Sequence, residues 1–355
     1  MKSSFQLIAC LMLSLIASPS WAAPYYAGKT IRIVIGFTPG GGNDLFARIF
    51  PRFLSQTIEG NPNVLVENRP GAGGVAALNW FAEAAPRDGT VLMVVSGNLV
   101  ARMALGTSDV TAKVSDIRPI MTTPIGRTNY IYAGTGYKTP KDILTLQTPL
   151  FLGSTDPLST IGSVVGLTLI KAPFKTVKGY PGKADALLSL ERGETTVGDI
   201  ATPIFNENVM PVVREGKVLP LYTHGMMDGD KLVRDPANTD LPTIQEFYRE
   251  VYGTDPSGPA WEAYKTVIRA IGNSGKNMMM HKDTPAAAVE ALKSGFGALL
   301  NDAEFLKGAE ATLEGYSLAF GDKLTQDIIA ISNMDPGSKA WLQELYGRDY
   351  VMKFR

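Results

Sequence analysis

The chain has 355 residues, 45% of them apolar and 19% charged, with 34 basic residues against 34 acidic ones. That is enough to bury a large core and too long for one compact module of ordinary size, so two lobes are expected. With no basic excess nucleic acid is not expected as a partner, and the single cysteine, Cys10, leaves no basis for a disulfide framework.

The N-terminus, "MKSSFQLIACLMLSLIASPSWAAPYY", carries one cation, Lys2, then an apolar run from Phe5 to about Ala17 and small residues at Ser20 and Ala22. This is the pattern of a secretory signal, residues 1–22, cleaved after Ala22, which implies export to the periplasm. The run is short for a membrane span. "LIAC", Leu7 to Cys10, has the residue types of a lipoprotein box, but cleavage there would leave most of the apolar run on the mature protein. Loss of residues 1–22 removes the cysteine and leaves 33 basic residues against 34 acidic ones. The two histidines, His224 and His281, lie far apart and show no ligand spacing, so neither a metal nor a cofactor is expected.

"TIRIVIGF", Thr30–Phe37, reads as a strand that ends in the loop "TPGGGND". From Leu45 the apolar residues at 45, 46, 49, 50, 53 and 54 follow helical period, with Asn43 or Asp44 placed to cap the start. Pro51 cannot bond back to the carbonyl of Ala47, so it should kink or divide that helix near Phe50. A strand at Val64–Glu67, a second glycine loop at Pro70–Gly74 and a second helix repeat the unit, and Thr90–Asn98 forms a third strand ending in small polar residues. Strand, loop and helix repeated in this way indicate parallel βαβ units.

The same grammar returns after about residue 126 in "NYIYAG", "LFLGSTDP", "TVGDIATP" and "VLPLYTHG", with helical patterns at 158–171, 184–192 and 204–214 between them. "MDGDKLVRDPANTDLP", residues 227–242, is the most loop-like part of the chain. Thr284–Leu313 reads as two helices broken near Asn301, the second capped by Asp302.

In an open α/β sheet ligands sit at the carboxyl ends of the strands, where helix starts present unpaired N–H groups. Glycines there let consecutive amides converge on one anion. One such loop would read as a tight turn. Two, at Pro39–Asp44 and Pro70–Gly74, ending neighbouring strands, predict a cradle for a carboxylate or phosphate built without Lys or Arg. A dinucleotide site draws some support from Glu67 at the end of the second strand, but the pattern runs from Gly40 through Gly42 to Leu45 and lacks its third glycine. No Gly-Lys-Ser/Thr follows either loop, which argues against a nucleoside triphosphate.

"TIRIVIGFTPGGGNDLFAR", "VLVENRPGAGGVAALNWFAEAAPRDGT" and "GYPGKADALLSLERGETTVGDIA" together closely resemble the solute-binding receptors of tripartite tricarboxylate transporters, the Bug family. The resemblance is clear from about Tyr25 to Gly225 and weaker beyond. It implies an α/β, two-lobed periplasmic-binding-protein-like fold of type II, with parallel-dominated sheets and helices on both faces. It further implies a monomeric receptor, not an enzyme, that closes over a small organic acid and delivers it to membrane permease subunits. The family pattern assigns ligand contacts to Thr38, Gly41, Gly42, Asn43 and Asp44 in the first loop and to Ala72, Gly73 and Gly74 in the second. Ser96 and Asn98 at the third strand end, Ser154, Thr155 and Ser159 in "GSTDPLST", and Asp199 after "RGETTVGDI" complete the set. The lobes would comprise 24–125 plus 251–355 and 126–250, with hinges near Thr123–Arg127 and Gly225–Asp228.

Several of these residues have structural alternatives. Asp44 and Asp156 suit helix capping, Glu67 and Arg69 suit pairing with each other or with neighbours, and Tyr180 suits either the cleft or the core. "NMMMHKDTP", 277–285, departs from the apolar stretch usual in the family, and a cleft-facing His281 or Lys282 would imply a larger or more anionic ligand. Whether the ligand is a di- or tricarboxylate, an aromatic acid or an amino acid stays open. No Gly-x-Ser-x-Gly or His-Glu-x-x-His occurs. A hydrolase or isomerase, or a ligand sensor with a signalling partner, are the competing classes on the same scaffold.

Overall fold

The computed structural model describes residues 23–355 apart from 155, 181–187, 191, 322–323, 325–327, 329 and 332. The expected signal segment, Thr155 and most of the helical pattern at 184–192 therefore lie outside the described residues.

The first repeat unit forms as its sequence dictates. Strand β1 (Thr30–Ile35) feeds the Pro-Gly-Gly-Gly loop and helix α1 (Gly42–Arg48). Pro51 then opens a separate helix, α2 (Pro51–Thr57), because a proline is tolerated in the first helical turn and not inside one. The second unit is β2 (Asn63–Asn68), a 3-10 turn at Ala72–Gly74 and α3 (Val75–Glu83). Strand β3 (Val91–Ser96) runs straight into α4 (Gly97–Leu105). After β4 (Ile117–Thr123) the chain crosses to a second sheet.

That second sheet contains β5 (Arg127–Tyr132), β6 (Leu150–Ser154), β7 (Phe174–Lys178), β8 (Val197–Ala201) and β9 (Val218–Thr223) in the order β7-β6-β8-β5-β9. Helix α5 (Ile161–Leu169) connects β6 to β7. The loop-like stretch holds a small hairpin, β10 (Met226–Asp228) and β11 (Lys231–Val233), turned at Gly229 with φ of 57°. The Asp-Gly pair at 228–229 was its signal, overlooked among the surrounding polar residues.

Helices α6 (Ile244–Tyr252) and α7 (Pro259–Ile268) lead to β12 (Lys276–His281), which returns to the first sheet. Helices α8 (Ala286–Leu299) and α9 (Ala303–Leu313), the short β13 (Ala319–Phe320) and α10 (Pro336–Tyr350) follow. Asp302 caps α9 as expected, accepting from the amides of Glu304 and Phe305. The first sheet has the order β13-β4-β12-β3-β1-β2.

Both sheets are mixed. Pairing is parallel along β2-β1-β3 and along β7-β6-β8, as the βαβ grammar requires. Strand β12, which returns to the first sheet after α6 and α7, and strand β5, which crosses directly from β4, each run antiparallel to both neighbours. A strand that crosses between the sheets can arrive pointing the other way, which no local sequence pattern announces.

One face of the first sheet is covered by α1, α2, α8 and α9, where Phe46, Phe50, Phe296 and Phe305 form a fully buried aromatic cluster. The other face shares a continuous apolar core with α3, α4, α7 and α10, and this core runs on through α5 into the second sheet. Among the described residues no helix is long and apolar enough to cross a membrane.

Candidate functional site

Two adjoining cavities lie between the sheets, of about 570 Å³ and 340 Å³. They share a wall made of Phe37, Gly42, Asn43, Ser96, Asn98 and Ser159. The larger one extends along the glycine loops past Thr38, Gly41, Pro70, Gly71 and Gly73 to Arg102, Asp156 and Tyr180. The smaller one reaches toward the crossings, past Ile125, Arg127, Asp199, Lys276 and Glu314.

The loops that form the shared wall are held from behind. Asp44 is buried and its carboxylate accepts from the Gly40 amide at 2.9 Å, from Arg48 Nε at 2.8 Å and from Asn68 Nδ2 at 2.8 Å. Asn68 Nδ2 also donates to the Phe37 carbonyl at 3.1 Å, so one carboxylate ties the first loop to the end of β2. The Arg48 guanidinium is the main cause that holds the Asp44 carboxyl low, at about 2. The helix start itself is Gly41, with no side-chain cap, so neither Asn43 nor Asp44 caps α1. Asp44 acts instead three residues into the helix, as an anchor for the loop before it.

The two loops also touch. A Cβ on Gly36 would stand 2.6 Å from Gly74 Cα, and Gly73 and Gly74 adopt φ of 64° and 93°. Only bare backbone allows that approach, which is the physical reason for so many glycines here.

Of the residues assigned by the sequence, Thr38, Gly41, Gly42, Asn43, Gly73, Ser96, Asn98, Ser159 and Asp199 line one cavity or both. Asp44, Ala72, Gly74 and Ser154 do not line them. Ala72 is exposed and Gly74 is buried behind the second loop. Ser154 is buried, with Oγ donating to the Asp156 carbonyl at 2.6 Å and lying 3.0 Å from Ser159 Oγ, so it shapes the "GSTDPLST" turn from inside. Asp156 Oδ1 accepts from the Leu158 amide at 2.9 Å within the turn that precedes α5, so it does not cap that helix, whose N-cap is Thr160; it also binds Arg102 Nη2 at 2.6 Å beside the larger cavity.

Asp199 pairs with Arg127 Nε at 2.7 Å, while Arg127 Nη2 donates to the Asp199 carbonyl at 3.0 Å. Glu67 pairs with both Arg32 and Arg69, and Arg69 lies over the Trp80 ring, so this group braces the second loop. Tyr180 lines the larger cavity and donates its hydroxyl to Glu194 at 3.1 Å.

Sequence reasoning missed Lys276, Glu314, Arg102 and Arg127. It looked for charge at the wrong end of β12. Because that strand is antiparallel to β3, its first residue, Lys276, stands beside Ser96 at the site. His281 lies at the far end against Phe81 and the Ala82 carbonyl, and Lys282 pairs with Asp116. Burial pulls the Lys276 ammonium below the usual lysine range, opposed by Glu314, and burial pushes the Glu314 carboxyl up. The cradle is thus not free of formal charge, contrary to the expectation.

A two-sheet α/β molecule whose strand ends face a cleft between the sheets has the two-lobed architecture of the periplasmic-binding-protein-like folds. No family model matches the chain. It is 29% identical over 269 residues to a UPF0065 protein of Cupriavidus necator, covering 70% of this chain and 74% of that relative. To BugT of Bordetella pertussis it is 38% identical over 97 residues, 26% of this chain and 28% of the relative. Solved structures with the same fold include a TctC solute-binding protein from Polaromonas (TM-score 0.61, 17% identity, 87% of this chain and 98% of that one). The periplasmic binding protein BugD matches with a TM-score of 0.61 and 18% identity over 92% of this chain and 100% of its own. An R. palustris protein solved with adipate gives 0.62 and 19% over 91% and 98%. By sequence the chain is thus similar to UPF0065 and Bug proteins, and its fold is that of the TctC and BugD binding proteins. The TctC protein is described as a solute-binding protein and BugD as a periplasmic binding protein.

Proposed function

We propose that the protein is a periplasmic, monomeric receptor that captures a small carboxylated molecule between two lobes and delivers it to a tripartite-type membrane permease. The observation that carries this reading is the shared wall of the two cavities. Gly42, Asn43, Ser96 and Asn98 from the first sheet face Ser159 from the second, so a ligand lodged there touches both halves of the chain. The adipate-bound neighbour supports the choice of ligand class.

In this reading residues 24–125 plus 251–355 form one lobe and 126–250 the other, hinged near Thr123–Arg127 and Gly225–Asp228. The acid group docks on the first glycine loop, with Thr38, Asn43, Ser96 and Asn98 completing the cradle, and closure adds Ser159. Charge-assisted bonds in a desolvated cleft are stronger than neutral ones and supply most of the affinity. The permease then distinguishes closed from open receptor.

The test is a melting series of the mature chain, residues 23–355, against carboxylic acids, amino acids, sugars and nucleotides. A ligand at about 100 times its dissociation constant adds roughly 2.7 kcal/mol of stability, a readable shift. The reading expects a shift from an acid class and none from nucleotides. A shift from sugars or nucleotides alone would overturn it.

A further inference from the structure

Lys276 and Glu314 line the same 340 Å³ cavity, and neither is accounted for by the fold. Lys276 is 6% exposed, and its Nζ has no hydrogen-bond or ion-pair partner among the described residues. The ammonium stands beside the first glycine loop, 3.9 Å from where a methyl group on Gly42 would be, and 5.9 Å from the centre of the Phe46 ring. Burying a lysine without a partner is expensive, and most cores replace it with an apolar residue. Glu314, at the left-handed C-terminus of α9 with φ of 55°, likewise has no side-chain partner among the described residues. The two groups feel each other electrostatically but are not in contact, and Glu207 adds further negative potential on the Glu314 side.

A cation beside an amide cradle and a carboxylate facing it across a small cavity match a ligand with both charges. We propose that Lys276 and Glu314 form a paired-charge subsite selecting a zwitterionic acid, one bearing an ammonium group near its carboxylate, over the amine-free acid of the same skeleton. This rests on the receptor reading above and specifies its substrate class. The ligand carboxylate lies on the Gly42–Asn43 side with Lys276, and the ligand ammonium donates to Glu314. The Arg127 and Asp199 pair forms a neutral flank.

Isosteric pairs isolate the amine: succinate against L-aspartate, glutarate against L-glutamate, and adipate against L-2-aminoadipate. Each is titrated by calorimetry into the wild-type mature chain, Lys276→Met and Glu314→Gln. Wild type is expected to bind the amino member of at least one pair roughly tenfold or more tighter, the scale of one charge-assisted hydrogen bond. Glu314→Gln should erase that preference, while Lys276→Met should weaken both members by at least roughly tenfold. Equal or tighter binding of the amine-free acids by wild type overturns the paired-charge subsite while leaving the acid receptor standing. Binding of none of the six overturns the paired-charge subsite, and the acid receptor falls with it where the melting series also finds no shift from any acid. The comparison within wild type needs no variant, so it decides the matter even where Lys276→Met fails to fold.

Discussion

Asp44 shows how one side chain can govern a site it does not enter. Its carboxylate joins Gly40, Arg48 and Asn68, and so fixes the loop on which Gly41, Gly42 and Asn43 depend. A carboxyl held at about 2 when folded, against roughly 3.9 in an unfolded chain, stabilises the fold fully above the unfolded value. That contribution is lost as pH falls from about 4 toward 2. Asp44→Asn should cost about 1–2 kcal/mol at neutral pH and flatten the acid limb of the stability curve over that range, as measured by urea unfolding at a series of pH values. An unchanged acid limb would assign the carboxylate no role in holding the loop. The sequence showed that an acid stood at this helix start, and a cap was the natural reading. What it could not show was Asn68, brought alongside by the parallel pairing of β1 with β2, which turns a capping position into a tie between two loops.

The elements that build the site were legible where a repeat governs them and illegible where direction does. Both strand, glycine loop and helix units follow from periodicity and turn chemistry, as do the division at Pro51 and the cap at Asp302. The direction of β12 follows from neither. It is set by the return crossing from the other sheet, and it alone decides that Lys276, not His281 or Lys282, stands at the cleft. The contact between the two glycine loops offers a test at this scale. Gly36→Ala places a methyl group against the backbone of Gly74, which cannot move without displacing Phe37 and Leu99 packed on it. Overpacking of this kind costs roughly 1–3 kcal/mol. The variant should therefore melt lower and bind its ligand more weakly. Gly40→Ala serves as its contrast, since a Cβ there meets nothing within 4 Å and the strain comes from φ of 85° alone. Equal binding by wild type and Gly36→Ala would show that the loops do not act as a unit.

At the scale of the whole molecule, the question is what balances an open cleft against a closed one. Polar contacts that span the halves of the chain include Asp235 with Tyr316 and Arg102 with Asp156. Near the first crossing, buried Asp235 accepts from Thr202 Oγ1 at 2.6 Å and from Tyr316 at 2.8 Å, and it lies so close to Gly126 that any side chain there would overlap it. In the closure proposed above, such a group lies beside the hinge and is expected to move little. The Arg102 to Asp156 pair joins α4 to the turn after β6, and both residues line the larger cavity. With side-chain exposures of 9% and 35% it is half-solvated, so it is expected to contribute about 0.5–1 kcal/mol. That is too little to lock the cleft and enough to bias it. Asp156→Asn keeps an oxygen for the Leu158 amide while removing the charge that Arg102 meets, and it leaves the separate pair of Arg102 with Asp109 in place. The ligand-free variant should show a larger radius of gyration by small-angle scattering. A smaller population of the closed state lowers apparent affinity by the same fraction, here roughly two- to fivefold, and the loss should fall in the dissociation rate. With saturating ligand the two proteins should become equally compact, because ligand contacts then outweigh the missing pair. A variant that scatters like wild type without ligand and releases it at the same rate would show that this pair follows closure and does not drive it.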